Sequence, residues 1–190
     1  MERTELKNAR YLASEAMQRL IRPGDAVVDA TMGNGGDTLF LAQLVGDLGH
    51  VYAIDIQPAV LERTKERLEA EGLLDRVSFS LAGHQHLAEI VAGPVQAVMF
   101  NLGWLPGGDH GCTTHTETTL EALSQACSCL LPGGLISVCV YPGHEEGRRE
   151  LEAVREYCRK LPVKTYTVLH HHFINARAET PQLFLIQKNR

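Results

Sequence analysis

The sequence predicts a doubly wound α/β fold, in which a mostly parallel sheet carries helices on both faces. Two observations predict it: short β-rich segments alternate with helical patterns from residue 26 to residue 160, and two strand-like segments then follow without a helix between them. Alternating β and α units form parallel sheets through right-handed crossovers. The last two segments are expected to pair as an antiparallel hairpin, which gives seven strands in all.

The elements follow in a regular order. From Glu5 to Ile21, apolar residues recur at steps of three and four, which is typical of an amphipathic helix. Strands are then expected at 26–30, 50–56, 76–82, 95–102 and 134–141, and the hairpin at 163–175 and 182–188. Helices are expected near 37–46, 58–71, 117–131 and 145–160, with a short helix after His84. Without a linker or an internal repeat, residues 1–190 are expected to form a single domain.

Composition excludes several classes of protein. Eighteen basic against twenty-three acidic residues give a net charge of −5, so no global charge attracts nucleic acid. The five cysteines contain no CxxC pair, which argues against a disulfide framework and a thiolate zinc site. The N-terminus is charged rather than typical of a signal peptide, and no apolar run is long enough to span a bilayer. A cytoplasmic protein without a membrane partner is expected.

A glycine-rich turn joins the first strand to the next helix in "VVDATMGNGGDT". Gly33, Gly35 and Gly36 let the backbone approach a ligand closely, and the following helix offers free amide groups. The match to GxGxxG is incomplete, because Thr38 stands where the dinucleotide fingerprint has Gly or Ala. A plain strand-to-helix turn is the alternative.

A second site strengthens the nucleoside interpretation. Asp55 ends the second strand, 22 residues after Gly33, the separation at which a carboxylate accepts both ribose hydroxyls. NAD and S-adenosylmethionine both remain possible on this evidence. The helix before the first strand, the terminal hairpin and Asp29 favour the methyl donor, since Asp29 could neutralise its ammonium group. A buried acid that caps the turn is the alternative for Asp29.

Six motifs carry a resemblance to a known family. In order along the chain, "DATMGNGGDT", "AIDIQ", "GHQHL", "FNLGWLPGGDH", "YPGHEEG" and "FINA" resemble the small bacterial family first labelled "putative rRNA methylases". Its characterised members are tRNA wobble-uridine methyltransferases of the MnmM type. The resemblance covers nearly the whole chain. It implies a class I, Rossmann-like methyltransferase fold, S-adenosylmethionine as cofactor, and methylation of the aminomethyl nitrogen of 5-aminomethyl-2-thiouridine at wobble position 34.

The resemblance also implies a cofactor site. The motifs place Asn34, Gly35 and Asp37 at the methionine end of the donor, and His84 with Gln85 near its adenine. The expected cofactor-binding residues are Asp29, Thr31, Gly33, Asn34, Gly35, Asp37, Asp55, Ile56, Gln57, His84, Gln85 and Asn101.

The segment "NLGW" after the fourth strand resembles the four-residue motif of amine N-methyltransferases. The amide oxygen of Asn101 and the carbonyl of Leu102 can accept N–H groups of the substrate amine, and Trp104 can stack on a flipped base. Members commonly have Tyr at the position of Trp104. The expected catalytic residues are Asn101, Leu102, Trp104 and Asp109.

The substrate is expected to lie over the same edge of the sheet. The loop that begins at Pro106 is interpreted as a substrate lid, with a flexible glycine turn as the alternative. Expected substrate-binding residues are Trp104, Pro106, Gly107, Gly108, Asp109, His110, Tyr141, His144 and Asn175. The nine histidines specify no compact ligand set, so no metal is expected. The consecutive His170, His171 and His172 have no assigned role.

The expected partner is the anticodon arm of tRNA, bound through stacking and a few phosphate contacts. The late basic residues do not add to this, because glutamates such as Glu146 and Glu150 interleave with them and predict a mixed-charge helix surface. A homodimer would extend the surface. Two alternatives stay open: a methyltransferase for rRNA or a small amine, and a non-catalytic nucleoside-binding module.

Overall fold

The computed structural model describes residues 7–104 and 113–190. The strands are β1 (Ala26–Asp29), β2 (His50–Asp55), β3 (Val77–Leu81), β4 (Val95–Asn101), β5 (Leu130–Val140), β6 (Tyr166–His171) and β7 (Gln182–Lys188). The helices are α1 (Ala9–Leu20), α2 (Gly36–Val45), α3 (Pro58–Ala70), α4 (Leu87–Ile90), α5 (Thr116–Cys129) and α6 (Glu145–Lys160). None of the helices in these two ranges is long and apolar enough to cross a membrane.

The strands form a seven-stranded sheet in the order β3-β2-β1-β4-β5-β7-β6. Strands β1 to β5 pair in parallel, whereas β7 pairs antiparallel with β5 and β6 pairs antiparallel with β7. The predicted fold class is thus confirmed, including the C-terminal hairpin and the N-terminal helix. The strand order reverses between β1 and β4, and α/β sheets bind ligands in the crevice at such a switch point.

Three elements differ from their predicted bounds by more than two residues. Helix α1 begins at Ala9 because the Asn8 side chain accepts a hydrogen bond from the Tyr11 amide at 2.8 Å and caps the helix. Strand β5 begins earlier than predicted, since Leu130 already pairs with Val95 before the register shifts. Strand β6 is shorter than the predicted 163–175. Before it, the Pro162 carbonyl accepts the amides of Thr165 and Tyr166 in a turn, and after it the Phe173 carbonyl accepts the amide of Ala176 in another turn.

Two apolar clusters cover the two faces of the sheet. One cluster joins the sheet to α5 and α6 through residues such as Leu123 and Val154, and the other joins it to α1, α2 and α3 through residues such as Ala13, Leu41 and Val60. Helices on both faces leave the carboxyl ends of the parallel strands as the edge where polar side chains gather.

Candidate functional site

A cavity of about 790 Å³ lies at the carboxyl ends of the parallel strands. Each of β1 to β5 contributes residues at or just after its carboxyl end: 30–34, 54–57, 82–85, 101–104, and Tyr141, Gly143 and His144. Residues 113–115 and Arg10 of α1 complete much of the wall. The cavity has the size and the position at which such folds bind nucleosides and their substrates.

The cavity brings together most of the predicted site residues. Those that line it are Thr31, Gly33, Asn34, Asp37, Asp55, Ile56, Gln57, His84, Gln85, Asn101, Leu102, Trp104, Tyr141 and His144. Asp29, Gly35 and Asn175 do not line it. Pro106, Gly107, Gly108, Asp109 and His110 lie outside the described residues.

The glycine-rich turn is tied to the end of β2. Gly33 and Gly35 have φ angles of 49° and 71°, in the left-handed region that favours glycine. The Gly33 amide donates to Asp55 Oδ2 at 2.8 Å, and the Gln57 amide donates to Asp55 Oδ1 at 2.9 Å. Each carboxylate oxygen of Asp55 retains a further lone pair with which to accept a ligand hydroxyl.

Asp29 lies behind the cavity rather than in it. Its side chain is fully buried, Oδ2 accepts from Thr38 Oγ1 at 2.6 Å, and Oδ1 accepts from the Thr31 amide at 3.3 Å. Burial, together with the negative charge of Asp37, raises the pKa of Asp29 to about 7. The geometry fits the alternative of a buried acid that caps the turn, and the role of Asp29 toward the ammonium group of the donor, directly or through water, stays a prediction.

Asp37 connects the glycine-rich turn to the end of β4. Its Oδ1 accepts from Arg10 Nε at 3.1 Å and from Arg10 Nη2 at 2.8 Å, while its Oδ2 accepts from Asn101 Nδ2. Sequence reasoning missed Arg10, since a single arginine in an amphipathic helix carries no signal of a partner 27 residues away. The Arg10–Asp37 pair lines the cavity directly beside Asn101.

Asn101 lines this site and carries a buried oxygen that no described residue binds. Its backbone amide donates to Thr31 Oγ1 at 2.7 Å, and an ionised carboxylate such as Asp37 can only accept, so the Asn101 amide nitrogen must be the group that faces it. Asn101 Oδ1 is buried and has no hydrogen-bond partner among the described residues. Buried polar atoms are normally paired, so this oxygen is available to a ligand donor.

The residues after Asn101 form a second polar wall. The Leu102 amide donates to the Cys139 carbonyl at 2.9 Å, and Trp104 forms an antiparallel bridge with Thr113. The Trp104 ring lies 4.2 Å from the ring of His144, tilted by 41°. An indole that lines a cavity beside an imidazole offers a surface on which a base can stack.

Two titratable side chains in the cavity are neutral at pH 7. Burial lowers the pKa of His84 to about 4, and its Nε2 is buried without a hydrogen-bond partner among residues 7–104 and 113–190. Burial also raises the pKa of Tyr141 to about 12. His84 is therefore a neutral donor or acceptor, and Tyr141 keeps its proton.

The structure contains no candidate metal centre in the part that it describes, where no three His, Cys, Asp or Glu side chains are grouped as ligands. His170 in β6 and His172 just after it lie on the same side of the chain, as their alternation predicts, with stacked rings whose centroids are 6.1 Å apart. His170 stacks on Phe184 at 4.2 Å and contacts Gln182 through Nε2. These contacts give His170 a packing role away from the cavity.

A protein-family model described as "Putative rRNA methylase" matches residues 51–187. The chain belongs to this family. A relative from Arabidopsis thaliana, a chloroplastic tRNA (mnm(5)s(2)U34)-methyltransferase, is 38% identical over 192 residues, which cover 96% of this chain and 70% of the relative. The resemblance predicted from the motifs is thus confirmed.

Solved structures of the family agree with the fold. An rRNA-methylase of the same description from Clostridium thermocellum is 42% identical and superposes with a TM-score of 0.95, covering 97% of this chain and 100% of that one. A methyltransferase from Streptococcus mutans, solved in complex with SAH, is 32% identical with a TM-score of 0.88, covering 97% and 99%. Both superpositions cover 97% of this chain, so the fold that it shares with these two proteins includes the whole of residues 51–187 that the family model matches.

Proposed function

We propose that this chain transfers a methyl group from S-adenosylmethionine to the aminomethyl nitrogen of 5-aminomethyl-2-thiouridine at wobble position 34 of tRNA. The observation that carries the proposal is Asn101 Oδ1, which is buried and has no hydrogen-bond partner in the two described ranges, while the amide nitrogen of the same side chain donates to Asp37. An amide oxygen accepts the N–H of an amine and leaves the nitrogen lone pair free. The name of the Arabidopsis thaliana relative supports the substrate, and the SAH in the Streptococcus mutans structure supports the cofactor.

The residues present fit the cofactor. The buried His84 Nε2, the free lone pairs of Asp55 and a cavity of about 790 Å³ together suit a nucleoside with a polar tail. Asp55, Ile56 and Gln57 would hold the ribose and the adenine edge, with His84 and Gln85 at the adenine. Residues 31–37 would lie against the methionine end. When bound, S-adenosylmethionine would supply an electrophilic methyl group on its sulfonium sulfur. After transfer of that methyl group, the rest of the cofactor would be a neutral thioether.

We call residues 30–37 and 54–57, which would face the methyl donor, the donor wall. We call residues 101–104, which would face the amine that accepts the methyl group, the acceptor wall. On the acceptor wall, Asn101 Oδ1 and the Leu102 carbonyl would accept the two N–H groups of a neutral amine, and Trp104 would stack on the uracil ring. Correct placement of two reactants lowers a barrier by roughly 7–11 kcal/mol, so a strong base is unnecessary. We propose that Asp109, His110 or His144 accepts the proton or grips the nucleotide, together with Pro106, Gly107, Gly108 and Tyr141.

We also propose that the anticodon arm is the bound part of the tRNA, that the enzyme works in the cytoplasm as a single domain, and that two copies form a dimer.

Asn175 is exposed and outside the cavity, so a substrate contact there would require a tRNA that extends beyond the described cavity. Glu179 and Pro181, which do line the cavity, are better placed on the same hairpin.

A labelling experiment tests the function. The protein is incubated with methyl-labelled S-adenosylmethionine and tRNA that lacks only the terminal methyl group at position 34. We expect label in the wobble nucleoside and none in matched tRNA without the aminomethyl group. Label confined to ribosomal RNA, offered in parallel, would instead assign the substrate that the family description names.

A further inference from the structure

Glu150 is a buried acid that the cavity does not contain. It lies on α6 with an exposed fraction of 1%, so the prediction of a mixed-charge surface is wrong for this residue. Its Oε1 accepts from Thr119 Oγ1 at 2.6 Å, and its Oε2 accepts from Thr114 Oγ1 at 2.8 Å. A buried carboxylate is costly unless it is well paired, so two threonine hydroxyls hold this one in place.

A chain of hydrogen bonds leads from Glu150 to the acceptor wall. The Thr114 hydroxyl donates its single hydrogen bond to Glu150, and its oxygen accepts a hydrogen bond from the Gly103 amide at 2.8 Å. The Thr114 amide in turn donates to the Gly103 carbonyl at 3.2 Å. Thr114 is therefore fixed on one side by α6 and on the other side by the backbone that follows Asn101.

This chain determines the orientation of one peptide group. The Gly103 N–H and the Leu102 C=O belong to the same planar, trans peptide, and they point to opposite sides of the chain. When Thr114 holds the N–H, the carbonyl oxygen of Leu102 must point the other way. Gly103 has a φ angle of 126°, which favours glycine, and the Leu102 amide is itself bound to Cys139.

We propose that Glu150 is a positioning residue, which acts through Thr114 and the Gly103 amide to aim the Leu102 carbonyl at the substrate amine. The inference rests on the proposed function, since it needs an amine acceptor for that carbonyl. Glu150 touches neither substrate nor cofactor. It acts on the acceptor wall in the way that Asp37 acts on Asn101: a carboxylate holds the N–H side of an amide, directly or through a threonine, and the oxygen of that amide points away from the carboxylate.

Substitution of two threonines that bind the same carboxylate tests the inference. Thr114→Val removes the link to Gly103, and Thr119→Val is the matched control because it removes a hydroxyl from the other oxygen of Glu150 without touching the acceptor wall. We expect Thr114→Val to lower kcat by about tenfold to a hundredfold at unchanged Kd for S-adenosylmethionine. Thr114→Ser, which restores the hydroxyl, should recover kcat, and Thr119→Val should lower kcat less than Thr114→Val, because Thr114 still joins Glu150 to Gly103. Equal losses in the two valine variants would overturn the inference.

Two readouts that need no turnover separate this inference from the proposed function. Trp104 is the only tryptophan of the chain, so fluorescence reports on the residue beside Gly103, and amide hydrogen exchange reports on Gly103 itself. Thr114→Val should change Trp104 emission and speed exchange at Gly103, and Thr119→Val should change both to a smaller extent. If wild-type protein fails to methylate the tRNA but these changes occur, the positioning chain stands and the proposed substrate fails. If exchange at Gly103 is the same in both variants, the positioning chain does not exist.

Discussion

The two walls of the cavity are built in different ways. On the donor wall, backbone amides of Gly33 and Gln57 hold the carboxylate of Asp55, so the sheet topology itself fixes the geometry. On the acceptor wall, side chains from other elements hold the polar groups: Asp37 binds Asn101, and Thr114 binds the Gly103 amide. We therefore expect that the loss of one supporting side chain disturbs cofactor binding less than it disturbs the alignment of the substrate.

Asn101→Ala should have the largest effect. The substitution removes the only predicted side-chain acceptor for the amine, so kcat should fall by about a hundredfold while the Kd for S-adenosylmethionine changes by less than about threefold. Steady-state kinetics and isothermal titration measure the two quantities. Asn189→Ala removes an amide far from the cavity and serves as the control. A variant that mainly loses cofactor affinity would move Asn101 to the donor wall.

Asp55→Ala should weaken cofactor binding by about tenfold and leave kcat at saturating cofactor near the wild-type value. The carboxylate accepts two backbone amides that water can partly satisfy after the substitution, which limits the loss. Isothermal titration with S-adenosylmethionine measures it, and Asp75→Ala, an exposed acid outside the cavity, is the control. Unchanged affinity would remove Asp55 from the ribose site.

Arg10→Ala should have a smaller effect on the acceptor wall. The Arg10 side chain is 53% exposed, so solvent screens its pairing with Asp37. Asp37 can still accept from Asn101 without it, and we expect kcat to fall by about threefold to tenfold. Arg19→Ala on the same helix is the control. A loss as large as that of Asn101→Ala would mean that Arg10 contacts the ligand directly.

The smallest effect concerns stability. Burial lowers the pKa of His84 to about 4 from 6.5, so the unfolded chain binds a proton that the folded chain does not, and stability falls as the pH drops below about 6.5. This group alone should lower the free energy of unfolding by about 1 kcal/mol between about pH 6.5 and pH 5.5. His84→Phe should remove that part of the slope in urea unfolding. Equal slopes in both proteins would contradict a neutral, buried imidazole.

The donor wall could largely be predicted from the sequence, because local spacing determines it. The separation of Gly33 and Asp55 predicts that the first turn and the end of β2 meet, and the structure places a hydrogen bond of 2.8 Å between them. The order of the strands also predicts that Asn101 and Tyr141 lie at the same edge. Strand patterns and turn chemistry suffice for both statements.

The supports of the acceptor wall could not be predicted in this way. Arg10 belongs to a helix outside the alternating units, so no pattern indicates its partner. Glu150 shares a helical face with the buried Val154 and Cys158, so the period of α6 indicates burial, but nothing in the sequence indicates that Thr114 is its partner. For Asp29 the position before the glycines predicts a contact with the cofactor, whereas in the structure its carboxylate accepts a hydrogen bond from Thr38 behind the turn. Only tertiary packing separates these cases.

The buried Asp29 has a consequence for the thermodynamics of binding. Its pKa of about 7 reflects burial and the negative charges of Asp37 and Asp55, so near neutral pH it is partly protonated. A cation that enters the cavity favours the ionised form of Asp29 and lowers its pKa. Uptake of a positively charged cofactor near neutral pH therefore releases a fraction of a proton, and its measured binding enthalpy should vary with the ionisation enthalpy of the buffer. The binding enthalpy of the thioether product, whose sulfur is neutral, should depend less on the buffer. The difference between the two ligands would then measure the effect of the positive charge on sulfur.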